Sequence, residues 1–198
     1  ELFADFAGTS LESSFQHALF MRGAAACRLV LRPYIFDSED IELVQRAAIH
    51  AGLSGEPAVA PILMQMLTES PRSEEILNAL VSSTGSDNRN QLLPAGVYAA
   101  WWEVHSQDMP RDWLREGLIT SGFELDEYFD DPTRCNPKLS VEQLLKGLQS
   151  GPARLRALCA YSLYNITNVD AQVILHGTPS GELLRRAQPW QDWLDNLD

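Results

Sequence analysis

Apolar residues in this chain recur at three- and four-residue intervals, the signature of helices that bury one face. The clearest case lies between Asp37 and Thr68. Ile41, Val44, Ala47, Ala48 and Ala51 form one stripe of a helix predicted over about 39–53. Asp37 or Ser38 reads as its cap, and Glu39, Asp40 and Glu42 place negative charge at the positive end of the helix dipole. Gly52 and Gly55 read as stops. Pro57 suits the first turn of a second helix, where its missing N–H is no loss. Val59, Ile62, Leu63, Met66 and Leu67 point that helix inward, and the small residues opposite allow close approach.

The same spacing predicts a helix over 10–32, capped by Ser10 and ended by Pro33, with Leu2, Phe3 and Phe6 tucked against it. A short extended connector follows at 34–36. A helix over 73–83 and another over 94–107 come next. In the latter, Val97, Trp101 and Val104 form one face, with Tyr98, Trp102 and His105 on its flank. Adjacent tryptophans point about 100° apart on a helix, so Trp101 and Trp102 read as sealing the core from two sides. A second hairpin starts at Ser140, read as its cap. A helix over 141–148, a Gly151-Pro152 turn and a helix over 153–166 repeat the layout of the first. A closing helix over 180–197 carries Pro189 as a kink or break. Residues 108–139 break the periodicity with Pro110, Gly117, Gly122, Pro132 and Pro137, and read as a surface insertion. The expected architecture is all-α. It is one domain over 1–198, a short stack of antiparallel helical hairpins with an irregular acidic insertion over about 108–139. One hairpin cannot hide its stripe alone, so the hairpins must lie on each other.

Composition narrows the function classes. The 198 residues suffice for a substantial core. Acidic residues outnumber basic ones 27 to 15, a net charge of −12. That opposes binding to nucleic acid or to anionic lipid, and favours steering of a basic protein. No run of about 20 apolar residues is present, so no membrane span is expected. Three cysteines, Cys27, Cys135 and Cys159, make neither a disulfide framework nor a metal-ligand spacing. Cys27 and Cys159 read as core fillers, and the cytoplasm as the compartment.

No catalytic grouping stands out. His17, His50, His105 and His176 are separate in sequence, and no nucleophile elbow, zinc-protease motif or phosphate loop accompanies them. His50 reads as a packed histidine. No catalytic residue, metal or cofactor is therefore expected. The candidate partner-binding residues are Phe123, Glu124, Asp126, Glu127, Tyr128, Phe129, Asp130 and Asp131 in the insertion, with Trp102 and His105 on the helix before it. Exposed aromatics among carboxylates make an interface anchor. The spacing of these carboxylates is not that of a calcium loop.

Two stretches carry a family resemblance. Arg46-Ala47-Ala48, Leu53-Ser54-Gly55-Glu56-Pro57 and Val59-Ala60-Pro61 resemble the short bacterial HEAT repeat, with Glu56 where aspartate is usual. Ser83-Thr84-Gly85, the helix Ala100-Trp101-Trp102-Glu103-Val104-His105, and Leu139-Ser140-Val141-Glu142-Gln143-Leu144-Leu145 before a Gly-Pro-Ala-Arg turn resemble HEAT-related bacterial proteins found near type VI secretion clusters. The resemblance implies a solenoid-like fold and a non-enzymatic protein-binding role: accessory, adaptor or immunity protein. The partner would be a secreted effector or an apparatus component, held on a groove of the stacked second helices and on the 123–131 loop. Two other classes stand beside it. One is a lyase-type HEAT enzyme subunit, which needs a thiol from Cys27, Cys135 or Cys159. The other is a DNA-binding HEAT protein, which needs a basic concave face.

Overall fold

The computed structural model describes residues 2–131 and 133–197, so Pro132 of the predicted insertion lies outside the described residues. Among them every regular element is helical. The chain order is α1 (Leu2–Phe6), α2 (Glu12–Arg22), α3 (Ala24–Phe36), α4 (Ile41–Leu53), α5 (Ala60–Glu69), α6 (Glu74–Thr84), α7 (Pro94–His105), α8 (Pro110–Thr120), α9 (Pro137–Ser150), α10 (Arg156–Thr167) and α11 (Ser180–Asp195). Short 3-10 turns at Pro57–Val59 and Ala153–Leu155 lead into α5 and α10. The hairpins α4–α5 and α9–α10 therefore share one local build. None of these helices is long and apolar enough to cross a membrane.

Two apolar clusters make up the interior. The first gathers α1 to α7, with Phe3, Leu31, Leu63 and Tyr98 sealed inside. The second gathers α8 to α11, with Leu118, Leu144, Leu163 and Trp190. Helix α6 joins them. It packs on α4 and α5, and also on α10 and the 153–155 turn. Every residue from Val81 to Gly85 is buried as a result. Gly55 shows how closely the halves approach. Its φ of +83° needs glycine, and a Cβ there would stand 3.0 Å from the Ala157 carbonyl oxygen.

A non-helical strap over 168–179 binds the halves a second time. Its Val173 belongs to the first cluster, while Ala171 and Ile174 belong to the second. Asp170 accepts from the Ala25 and Ala26 N–H groups (3.0 and 3.2 Å), and the Ala171 carbonyl accepts from Ala24 (2.9 Å). The strap thus caps the N-terminus of α3 from far along the sequence. Arg156 donates to the carbonyls of His176 and Thr178, and Trp190 Nε1 to that of Val169.

Several expectations change. The helix expected over 10–32 is broken at Gly23, which ends α2 and begins α3. Pro33 does not stop α3, and the connector expected at 34–36 is helical. Pro33 lies on the exposed side, and Leu29, whose carbonyl loses its partner, is 74 % exposed there. Ile41, expected in the buried stripe, is 73 % exposed, and the cap of α4 is Asp40 rather than Asp37 or Ser38. Much of the expected insertion is ordered helix. Pro110 and Pro137 occupy first-turn positions of α8 and α9 instead of breaking the chain. Asp112 accepts the Met109 N–H at 3.0 Å, and Asn136 accepts that of Lys138 at 3.0 Å. Asn136, not Ser140, is the cap, and Ser140 is buried inside α9.

Candidate functional site

The residues singled out from sequence fall into two groups. The first is aromatic. Trp101 stacks on His105 at 4.9 Å between ring centroids and meets the edge of Trp113 at 5.4 Å, and Trp102 lies 6.1 Å from Trp113. Trp113 Nε1 donates to the His105 carbonyl (3.3 Å), and His105 Nδ1 lies 2.8 Å from the Asp108 carboxylate. Trp101 and Trp102 are half-buried and belong to neither apolar cluster. They pack on one another and on Trp113 rather than sealing the core from two sides.

The second group is the acidic loop, and here Phe129 is not the exposed ring that was expected. Phe129 is 1 % exposed, a core residue of the second cluster beside Leu125. Phe123 is half-buried against the same cluster. Tyr128 is half-buried, with the Arg134 guanidinium 3.2 Å from its ring centre. Most carboxylates serve the loop itself. Asp126 accepts the Tyr128 N–H (2.8 Å), and Asp130 pairs with Arg111 at 3.4 Å. Asp131 accepts from the Thr133 hydroxyl and N–H, bonds that hold its carboxyl below the usual range. Glu124 and Glu127 are exposed. Alternating apolar and acidic residues look alike in sequence whether the ring faces water or core, and only packing separates the cases.

What the pattern did not single out is how bare α7 is. It carries one charged residue, Glu103, in twelve. Yet only Pro94 and Tyr98 are buried. Val104 is 71 % exposed, Leu92 and Leu93 in the preceding turn 82 % and 69 %, and Ala99 and Ala100 are exposed too. Val97 also ranks among the exposed large side chains. The face read from the spacing, Val97 with Val104, points out. A helix this apolar is ordinarily covered.

Most of the other reactive side chains are sealed or engaged. Cys27 and Cys159 are fully buried, as expected of core fillers, and burial pushes each thiol up to about 12. Cys135 Sγ lies 3.2 Å from Ser140 Oγ. His50 is buried with Nε2 2.8 Å from Glu12, whose other oxygen pairs with Arg46 at 3.0 Å. Burial opposes the charge on Glu12, but bonds from His50 and the Gly8 N–H, with the Arg46 charge, outweigh it and lower its pKa. Among the described residues no three or more His, Cys, Asp or Glu come together as metal ligands.

His176 Nε2 lies 2.8 Å from Arg89 Nη1. Guanidinium only donates, so Nε2 accepts and the neutral ring carries its proton on Nδ1. Burial, then the Arg89 charge, hold His176 below its ordinary 6.5. On acidification the unfolded chain therefore takes up this proton before the folded one. Stability is expected to fall as pH drops below about 6.5, until the lowered folded value is passed. Asp87, held low by its bonds from Arg89, and Glu12 extend the loss at more acidic pH. Urea midpoints measured between pH 8 and 5 check this, and His176→Gln should flatten the upper part of the profile.

Taken together, the fold and these contacts describe an all-helical protein with a bare apolar helix beside an aromatic cluster. Comparison with protein-family models, with curated proteins and with solved structures finds no match for this chain.

Proposed function

We propose that this chain is a non-enzymatic, HEAT-like protein-binding scaffold of the bacterial cytoplasm that docks a partner polypeptide on α7. The observation that carries the reading is the uncovered apolar surface of α7 and the Leu92–Leu93 turn before it. Exposed apolar surface of this kind costs solubility and is kept where a partner covers it. The shared build of the hairpins α4–α5 and α9–α10 supports HEAT-like stacking. The type VI association rests on the resemblance of residues 83–85, 100–105 and 139–145. It makes the partner a secreted effector or an apparatus component, and the chain an immunity protein or an adaptor. Glu124 and Glu127 of the loop are exposed, while Phe129, sealed in the second cluster, takes no direct part. The buried, proton-holding thiols of Cys27 and Cys159 are poor nucleophiles, because the attacking species is a thiolate, and they leave a thiol-dependent lyase only Cys135. The charge of −12 speaks against DNA binding.

Co-expression with the products of adjacent genes, followed by co-purification, tests the reading. Leu92→Glu with Val104→Glu should abolish capture of the partner. The thermal midpoint should move by no more than about 3 °C, since both side chains are exposed. A toxin captured in this way marks an immunity protein, and an apparatus component an adaptor. Undiminished capture by the double variant overturns α7 as the docking face.

A further inference from the structure

The charge of the chain is concentrated in the stretch of sequence that contains the bare helix. Residues 94–131 hold nine acidic and two basic side chains, −7 of the total −12. Two of the acidic groups flank the apolar surface directly: Glu103 on α7 and Glu116 on α8 are exposed, and among the described residues their carboxylates have no hydrogen-bonding or ionic partner. Glu116 lines a cleft of about 360 Å³ together with Trp101, His105 and Trp113. Of the other charges at that cleft, Asp87 pairs with Arg89 at 2.7 Å, while the Arg154 guanidinium keeps its positive charge and is held against the Gly85 carbonyl at 2.8 Å. Aromatic faces beside an unpaired carboxylate attract a cation. Along α7, Val97, Ala100, Trp101 and Val104 stand at i, i+3, i+4 and i+7, the spacing that meets one face of a second helix.

We infer that the partner presents a cationic amphipathic helix, whose apolar face lies on α7 while a lysine or arginine enters the Trp101–Trp113 cleft toward Glu116. The inference rests on the docking reading of α7 and names the chemistry of what docks. A second copy of this chain is the poorer occupant, because it would set the same acidic border against itself. Anionic membranes and nucleic acids meet the same repulsion.

Three fluorescein-labelled synthetic helical peptides test the inference by anisotropy on the full chain: a leucine/lysine peptide, a leucine/glutamate peptide of identical apolar pattern, and a serine/lysine peptide of equal positive charge. The leucine/lysine peptide should bind at least 20-fold more tightly than either control and weaken as salt rises. Glu103→Lys with Glu116→Lys should cost at least tenfold. Val104→Glu should also cost at least tenfold, although it adds negative charge and would strengthen mere attraction between opposite charges. Equal binding of the leucine/glutamate peptide, no binding of any peptide, or full binding by Val104→Glu overturns the inference. Self-association of the wild type that Val104→Glu removes overturns it in favour of a second copy. Capture of a neighbouring gene product through α7 with no preference for the basic peptide sinks the cationic partner alone and leaves the docking face standing.

Discussion

Trp190→Ala is expected to lower the unfolding free energy by about 3–5 kcal/mol, the range for removing a buried aromatic from a packed interior. Trp190 is 2 % exposed in the second cluster and is among the largest fully buried side chains. Its loss leaves a cavity between α11 and the helices α9 and α10 on which α11 packs. It also leaves the Val169 carbonyl without the indole N–H that now lies 2.9 Å away. Because Val169 lies near the start of the strap, the damage should travel. Asp170 and Ala171 hold the first N–H groups of α3, and the Phe20 carbonyl accepts from Val173. Urea denaturation followed by circular dichroism gives the energy. Hydrogen exchange at Ala24, Ala25, Ala26 and Val173 gives the route, and those amides should lose protection along with α11. Trp190→Phe, which refills most of the cavity but not the hydrogen bond, should cost about 1–3 kcal/mol. Equal losses in the two variants would assign the effect to the hydrogen bond instead of the packing.

Gly23→Ala should cost about 2–4 kcal/mol. Gly23 has φ +134° and ψ +155°, a region that only glycine adopts without strain of about 1–3 kcal/mol. A Cβ there would stand 2.2 Å from an Asp170 carboxylate oxygen. The carboxylate must then move, and α3 loses a cap worth about 1 kcal/mol. Asp170→Ala alone should cost only that cap. The double variant should cost less than the sum of the singles, because removing the carboxylate removes the collision while the backbone strain remains. Strict additivity in urea melts would show that Gly23 and Asp170 do not meet.

The helices were legible where apolar spacing and local punctuation agree. The stripe of Ala47, Ala48 and Ala51, the inward Val59, Leu63, Met66 and Leu67, and the inward Ile76, Leu77 and Leu80 of α6 all stand in the structure. Proline misled in both directions. Pro33 continues a helix, and Pro110 and Pro137 begin two, because its cost depends on whether the lost N–H had a partner. The histidines that stand apart in sequence acquire partners at long range: His50 with Glu12, and His176 with Arg89. The strap over 168–179 has no helical period and announced nothing, since its contacts lie far away in the chain.

Order along the chain thus determined that the protein is all-α, where most helices lie, and which small and aliphatic side chains are buried. Those properties follow from interactions three or four residues apart, which sequence spacing records directly. Tertiary structure alone decided that Phe129 is interior while Val104 and Leu92 are not, and that Asp170 caps a helix 145 residues away. An apolar side chain is buried only where another element arrives to cover it. Here α6 and the strap cover the two clusters, and none of the described elements covers the outer face of α7.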